Sequence, residues 1–110
     1  MTTQTDRELL ELAAKAAGID LSSGVDEHGA YEENWNPLTD DGDSLRLAVK
    51  LNLEITIKDY GTAARQGDAG EWSSEKNRRD KEAATRRAIV RAAAAIGAAS
   101  THGVTHTLTA

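Results

Sequence analysis

Leu53-Glu54-Ile55-Thr56-Ile57-Lys58 alternates apolar and polar side chains without a break. Successive strand residues point to opposite faces, so Leu53, Ile55 and Ile57 line one face and Glu54, Thr56 and Lys58 the other. A strand covered on both faces would be apolar throughout. The wet face therefore predicts helices stacked on one side of an antiparallel sheet. The expected class is α+β, with three helices packed on a small antiparallel sheet of two to three strands.

Immediately upstream, Trp35-Asn36-Pro37-Leu38-Thr39-Asp40-Asp41-Gly42-Asp43-Ser44-Leu45-Arg46-Leu47-Ala48-Val49-Lys50-Leu51 runs from a turn into an amphipathic helix. The proline pushes Asn36 into an extended conformation and sets up the turn. Thr39, Asp41 or Asp43 is expected to cap the helix, with the aspartates placing negative charge at its positive dipole end. Leu45, Ala48 and Val49 are expected to face the core, Leu38 to staple the turn, and Arg46 and Lys50 to lie on the wet side.

Further toward the N-terminus, Thr5-Asp6-Arg7-Glu8 has the spacing of a capping box. A helix is predicted from Asp6 to about Ala17 behind a disordered lead-in at 1–5. Leu9, Leu12, Ala13 and Ala16 form its buried stripe, Leu10 flanks them, and Gly18 ends it in a left-handed cap. Between Ile19 and Asn34 the pattern supports only a turn at 25–28 and a short edge strand at 31–35.

Downstream of the alternating strand, 60–77 reads as a long loop punctuated by Gly61, Gly67 and Gly70. Such length in a small domain hides an element or marks a functional segment. Glu71-Trp72-Ser73 is a candidate hairpin partner for the preceding strand. A last helix is predicted from about Asp80 to Ala99, with Thr85, Ile89, Ala92, Ala93 and Ile96 as its core stripe. Residues 100–110, with Thr101, Thr105, Thr107 and Thr109, have the composition of a flexible tail.

Composition bounds the core. Leu, Ile and Val together number nineteen among 110 residues, Ala alone contributes nineteen, and Phe is absent. Small side chains imply close helix packing within a single domain spanning 6–99. Cysteine is absent, which removes disulfides and thiolate chemistry and fits an intracellular setting. No apolar run approaches the roughly 18 to 20 residues of a membrane span, and the first residues lack the basic start and apolar stretch of a signal peptide.

Charge is polarised along the chain. Through Leu45 there are eleven acidic and two basic side chains, and from Arg46 onward seven acidic and eleven basic. Lys76, Arg78, Arg79, Lys81, Arg86, Arg87 and Arg91 concentrate seven basic groups within sixteen residues. No aromatic interleaves them and the net charge is −5, so direct nucleic-acid binding is not expected. A solvated helix start and face accounts for the run. The next reading pairs it with the acidic half, within the chain or between copies.

Catalytic and metal signatures are weak. Asp40, Asp41 and Asp43 lack the spacing of a calcium loop and read as capping residues. His102 and His106 are four apart but lack the intervening Glu of a zinc protease, and His28 stands in an acidic loop. No phosphate loop, nucleophile elbow or carboxylate pair emerges, so no cofactor, metal or enzymatic activity is expected. Trp35 is expected in the core, while Trp72 is balanced between core and interface, where tryptophan is a common anchor.

Three segments together resemble the small tailed-phage and prophage proteins with a phage ABA-sandwich domain. They are Arg7 to Ile19, Trp35 to Leu51 and Ala84-Thr85-Arg86-Arg87-Ala88-Ile89-Val90-Arg91-Ala92-Ala93-Ala94. The resemblance implies phage origin and an α-β-α arrangement, at odds with the single wet sheet face of the strand pattern. It carries over no catalytic residue. By analogy with small accessory phage proteins, it implies a non-enzymatic protein in the bacterial host cytoplasm that binds a host protein. Inhibition of a defence system such as CRISPR-Cas is one such role. Glu32, Glu33, Trp72, Arg78, Arg79, Arg87 and Arg91 are the candidate partner-binding residues. The alternatives are a self-associating phage structural protein, a possible homo-oligomer, or a metal-dependent enzyme using the histidines or aspartates.

Overall fold

The computed structural model describes residues 5–19, 35–67, 71–77 and 79–109, of which 100–109 are described by backbone alone. Helix α1 spans Asp6–Ala17 and opens with the expected capping box: Glu8 N–H donates to Thr5 Oγ1 at 3.1 Å, and Thr5 N–H donates to Glu8 Oε1 at 2.8 Å. Gly18 closes it at φ 75°, a left-handed conformation that costs glycine no Cβ clash. The buried face is Leu9, Leu10, Ala13, Ala14 and Ala17. Leu12 and Ala16, expected within the stripe, pack half-buried at its margin.

The Asn36-Pro37 turn is closed by Asp40 N–H donating to Asn36 O at 2.9 Å and Leu38 N–H donating to Asn36 Oδ1 at 3.0 Å. Helix α2, Asp41–Lys50, then starts under Asp40, whose carboxylate accepts from Asp43 N–H at 2.8 Å. The cap is thus Asp40, not Thr39, Asp41 or Asp43. Asp43 instead accepts from Asn36 N–H at 2.9 Å and from Arg46 at 2.6 Å, which ties the turn to the helix it precedes.

The helix is also rotated by one residue from the expected phase. Ser44, Leu47, Ala48 and Leu51 are buried, whereas Leu45 and Val49 are exposed. Both stripes have helical spacing, so the pattern alone does not choose between them, and the one that is buried sets Leu47, Ala48 and Leu51 in the core.

Strands β1 (Leu53–Ile57), β2 (Gly61–Gln66) and β3 (Ser73–Lys76) form one antiparallel sheet in the order β1-β2-β3. The segment read as a loop is therefore two strands, and β3 pairs with β2 rather than with β1. The β1–β2 connection is a two-residue hairpin in which Lys58 and Gly61 exchange backbone hydrogen bonds of 2.8 and 3.3 Å.

Helix α3 spans Lys81–Thr109, running on where a flexible tail was expected after Ala99. Once a helix is nucleated each added residue gains a hydrogen bond, so poor helix formers can extend an end. α3 occupies the centre of the molecule. It packs on α1 along one side and across the sheet on the other, with α2 flanking. That position explains why it buries Ala84, Ala88, Val90 and Ala94 beyond the stripe expected for a single face.

The main core joins Leu9, Leu10 and Ala13 of α1, Leu47 and Ala48 of α2, and Ile89, Val90 and Ala93 of α3. A smaller cluster sets Ala64 of β2 against Ala88 and Ala92. Among the described residues, helices cover one face of the sheet, and Glu54, Ser74 and Lys76 are exposed on the other. Three helices on a three-stranded antiparallel sheet make an α+β fold. No described helix is long and apolar enough to cross a membrane. Trp35 packs half-buried against the core, while the rest of the expected strand at 31–35 and the turn at 25–28 lie outside the described residues.

Candidate partner-binding face

Asp80 stops the chain after β3 and starts α3: its carboxylate accepts from Ala83 N–H at 3.0 Å and its carbonyl from Ala84 N–H at 3.0 Å. The Ala83 hydrogen bond holds the Asp80 carboxyl below the usual aspartate range, with the charge of Arg86 acting in the same direction. From this start the 3.6-residue repeat brings Arg87 and Arg91 to one side, one turn apart, facing β3.

Glu75 receives both. Arg91 Nη1 lies 2.5 Å from Glu75 Oε2 and donates to Ser74 O at 2.8 Å, and Arg87 Nε stands 3.9 Å from the same carboxylate oxygen. Arg87 also donates to Asp6 at 2.9 Å, so one side chain links the start of α1 to α3 and β3. Arg86 diverges to the opposite flank, donating to Leu38 O at 2.9 Å and to Asp41 Oδ1 at 2.6 Å. The basic run is thus partly paired with the acidic half within the chain, through Asp6 and Asp41.

Two shallow clefts flank the Glu75 bridge. One, of about 530 Å³, is lined by Glu75, Lys76, Arg79, Asp80 and Arg87. The other, also about 530 Å³, lies between Trp72, Ser73, Arg91, Ala95 and Ile96. Trp72 is 42% exposed, and the Arg65 guanidinium carbon sits 4.4 Å from its ring centroid. Arg65 is itself held by Glu54 at 3.0 Å. A cation stacked on the indole face restrains the ring without burying it.

Four expected residues, Trp72, Arg79, Arg87 and Arg91, therefore line adjoining clefts on the α3–β3 side. Arg78, Glu32 and Glu33 lie outside the described residues, as does His28; the side chains of His102 and His106 are likewise undescribed. Sequence reasoning missed Arg65 and Glu75, both in the segment taken for a loop. Strand pairing would have exposed them, because it places Glu75 opposite Thr62 and Arg65 opposite Glu54.

Asp40, Asp43 and Asp41 are engaged as cap, turn anchor and Arg86 partner respectively. Among the described residues no group of three or more His, Cys, Asp or Glu is arranged to hold a metal ion. A separate apolar groove of about 470 Å³ runs between α2, β1 and α3, lined by Ser44, Leu45, Ile55, Ile57 and Ile89. Ser44 Oγ is buried there with no hydrogen-bond partner among the described residues. The chain matches no protein-family model, no curated protein and no solved structure.

Proposed function

We propose that this chain is a non-enzymatic phage or prophage accessory protein. In this reading it binds a host bacterial protein in the host cytoplasm through its α3–β3 face. The observation that carries the proposal is the exposed Trp72, stacked under Arg65 beside an arginine pair ordered by Glu75. Tryptophan and arginine dominate binding energy at protein interfaces, and side chains already held in place lose less freedom on binding. The phage resemblance supports a bacterial partner, and inhibition of a defence system such as CRISPR-Cas is the activity to assay first.

The test is capture from a bacterial lysate by the full chain, by Trp72→Ala, and by Arg87→Glu with Arg91→Glu. Loss of the same captured protein with each variant, while thermal unfolding stays cooperative, is the expected result. Equal capture by all three would refute binding through this face. Trp72→Ala carries particular weight because it removes an exposed side chain and leaves the Glu75 bridge intact.

A further inference from the structure

We propose that β1 is the contact strand of a symmetric homodimer, pairing antiparallel with β1 of a second copy to form a continuous six-stranded sheet. The hairpin hydrogen bonds between Lys58 and Gly61 set the alternation along β1. Thr56 and Glu54 follow Lys58 in turning their backbone groups to β2, while Leu53, Ile55 and Ile57 turn theirs to the outer edge. Among the described residues no strand lies beyond β1.

The two edges of the sheet differ. At β3 the outward carbonyl of Ser74 is capped by Arg91, a side chain laid over an edge in the way proteins block strand addition. At β1 there is no proline or bulge, and Ile57 is 52% exposed. The apolar groove beside α2 adjoins this edge, with Leu45 62% exposed.

What selects a second copy is that β1 is complementary to itself. A two-fold axis through Thr56 places Ile55 opposite Ile57 of the other copy, and the reverse, as hydrogen-bonded pairs on the helix-covered face. On the wet face it places Glu54 opposite Lys58 of the other copy twice, in the closer non-hydrogen-bonded pairs. Backbone parity, apolar matching and charge all agree in this single register. The contact is isologous, so it closes at two copies. It also lies at the end of the sheet opposite Trp72 and Arg91, so each dimer would present two α3–β3 faces.

Sedimentation equilibrium at low salt, over a wide concentration range, tests the proposal with Glu54→Lys and Lys58→Glu. The wild type should reach twice the 11.7 kDa chain mass at high concentration. Each variant alone sets like charges opposite each other at two positions and should dimerise about tenfold more weakly or worse. An equimolar mixture restores both opposite-charge pairs and should recover the dimer, which shows that each variant is folded.

A wild type that stays monomeric at every concentration overturns the proposal. So does a wild-type dimer that neither variant weakens, or variants that fail to complement each other. Trp72→Ala, which leaves both β1 and the Arg91 cap on Ser74 in place, should leave dimerisation unchanged, so loss of lysate capture and loss of the dimer report separately on the two readings.

Discussion

Gly97 shows at the scale of one residue how an alanine-rich chain obtains a core. An added Cβ there would lie 2.0 Å from Leu12 O and 2.8 Å from Leu12 C, both backbone atoms of α1. Neither can swing aside, so α1 and α3 would have to separate, and the contacts among Ala13, Val90, Ala93 and Ala94 would loosen together. Gly97→Ala is expected to lower stability by about 1–3 kcal/mol or more, although alanine is the better helix former by about 1 kcal/mol. Urea unfolding checks this: a lowered midpoint is expected, and a raised one would mean that the helix crossing is looser than described. Composition announced close packing, but Gly97 was not identified as a contact, because its role depends on where α1 crosses.

At the scale of elements, the strength of a contact follows from what it joins. Arg86, 17% exposed, reaches from α3 to Leu38 O and Asp41, fixing the turn and α2 against the central helix. Arg46 pairs with Asp43 one turn away within α2 and is 72% exposed. Arg86→Ala is therefore expected to cost about 1.5–3 kcal/mol through a lost charged hydrogen bond and an orphaned carbonyl. Arg46→Ala should cost no more than about 1 kcal/mol. Parallel denaturation curves decide the order, and equal losses would contradict it.

The same scale explains what the sequence revealed. α1 was readable because its cap, stripe and terminal glycine are local signals. α2 was readable as a helix but not in its phase, since Leu45 and Val49 are as apolar as the residues that are buried. β2 was hidden because its inward side chains are Thr62 and Ala64, packed near Thr85 and against Ala88 and Ala92, without the large aliphatics that mark β1. With β2 missed, Arg65 and Glu75 had no place in the site, although Trp72, Arg79, Arg87 and Arg91 had been singled out by chemistry alone.

Across the whole molecule, α3 divides labour between its sides. Toward α1 and α2 it supplies the core, toward β2 it supplies small side chains for the sheet, and toward β3 it supplies the arginines that seal one sheet edge. The polarity of charge along the chain is partly resolved inside the fold, where Asp6 and Asp41 meet Arg87 and Arg86. Two separated surfaces remain, the α3–β3 face proposed to bind a host protein and the β1 edge proposed to pair with a second copy. Hydrogen–deuterium exchange of the chain, alone and with its captured partner, tests the first most directly. Slowed exchange is expected in residues 71–76, including the outward Ser74 and Lys76 amides of β3. Unchanged exchange there, with new protection elsewhere, would contradict binding through this face.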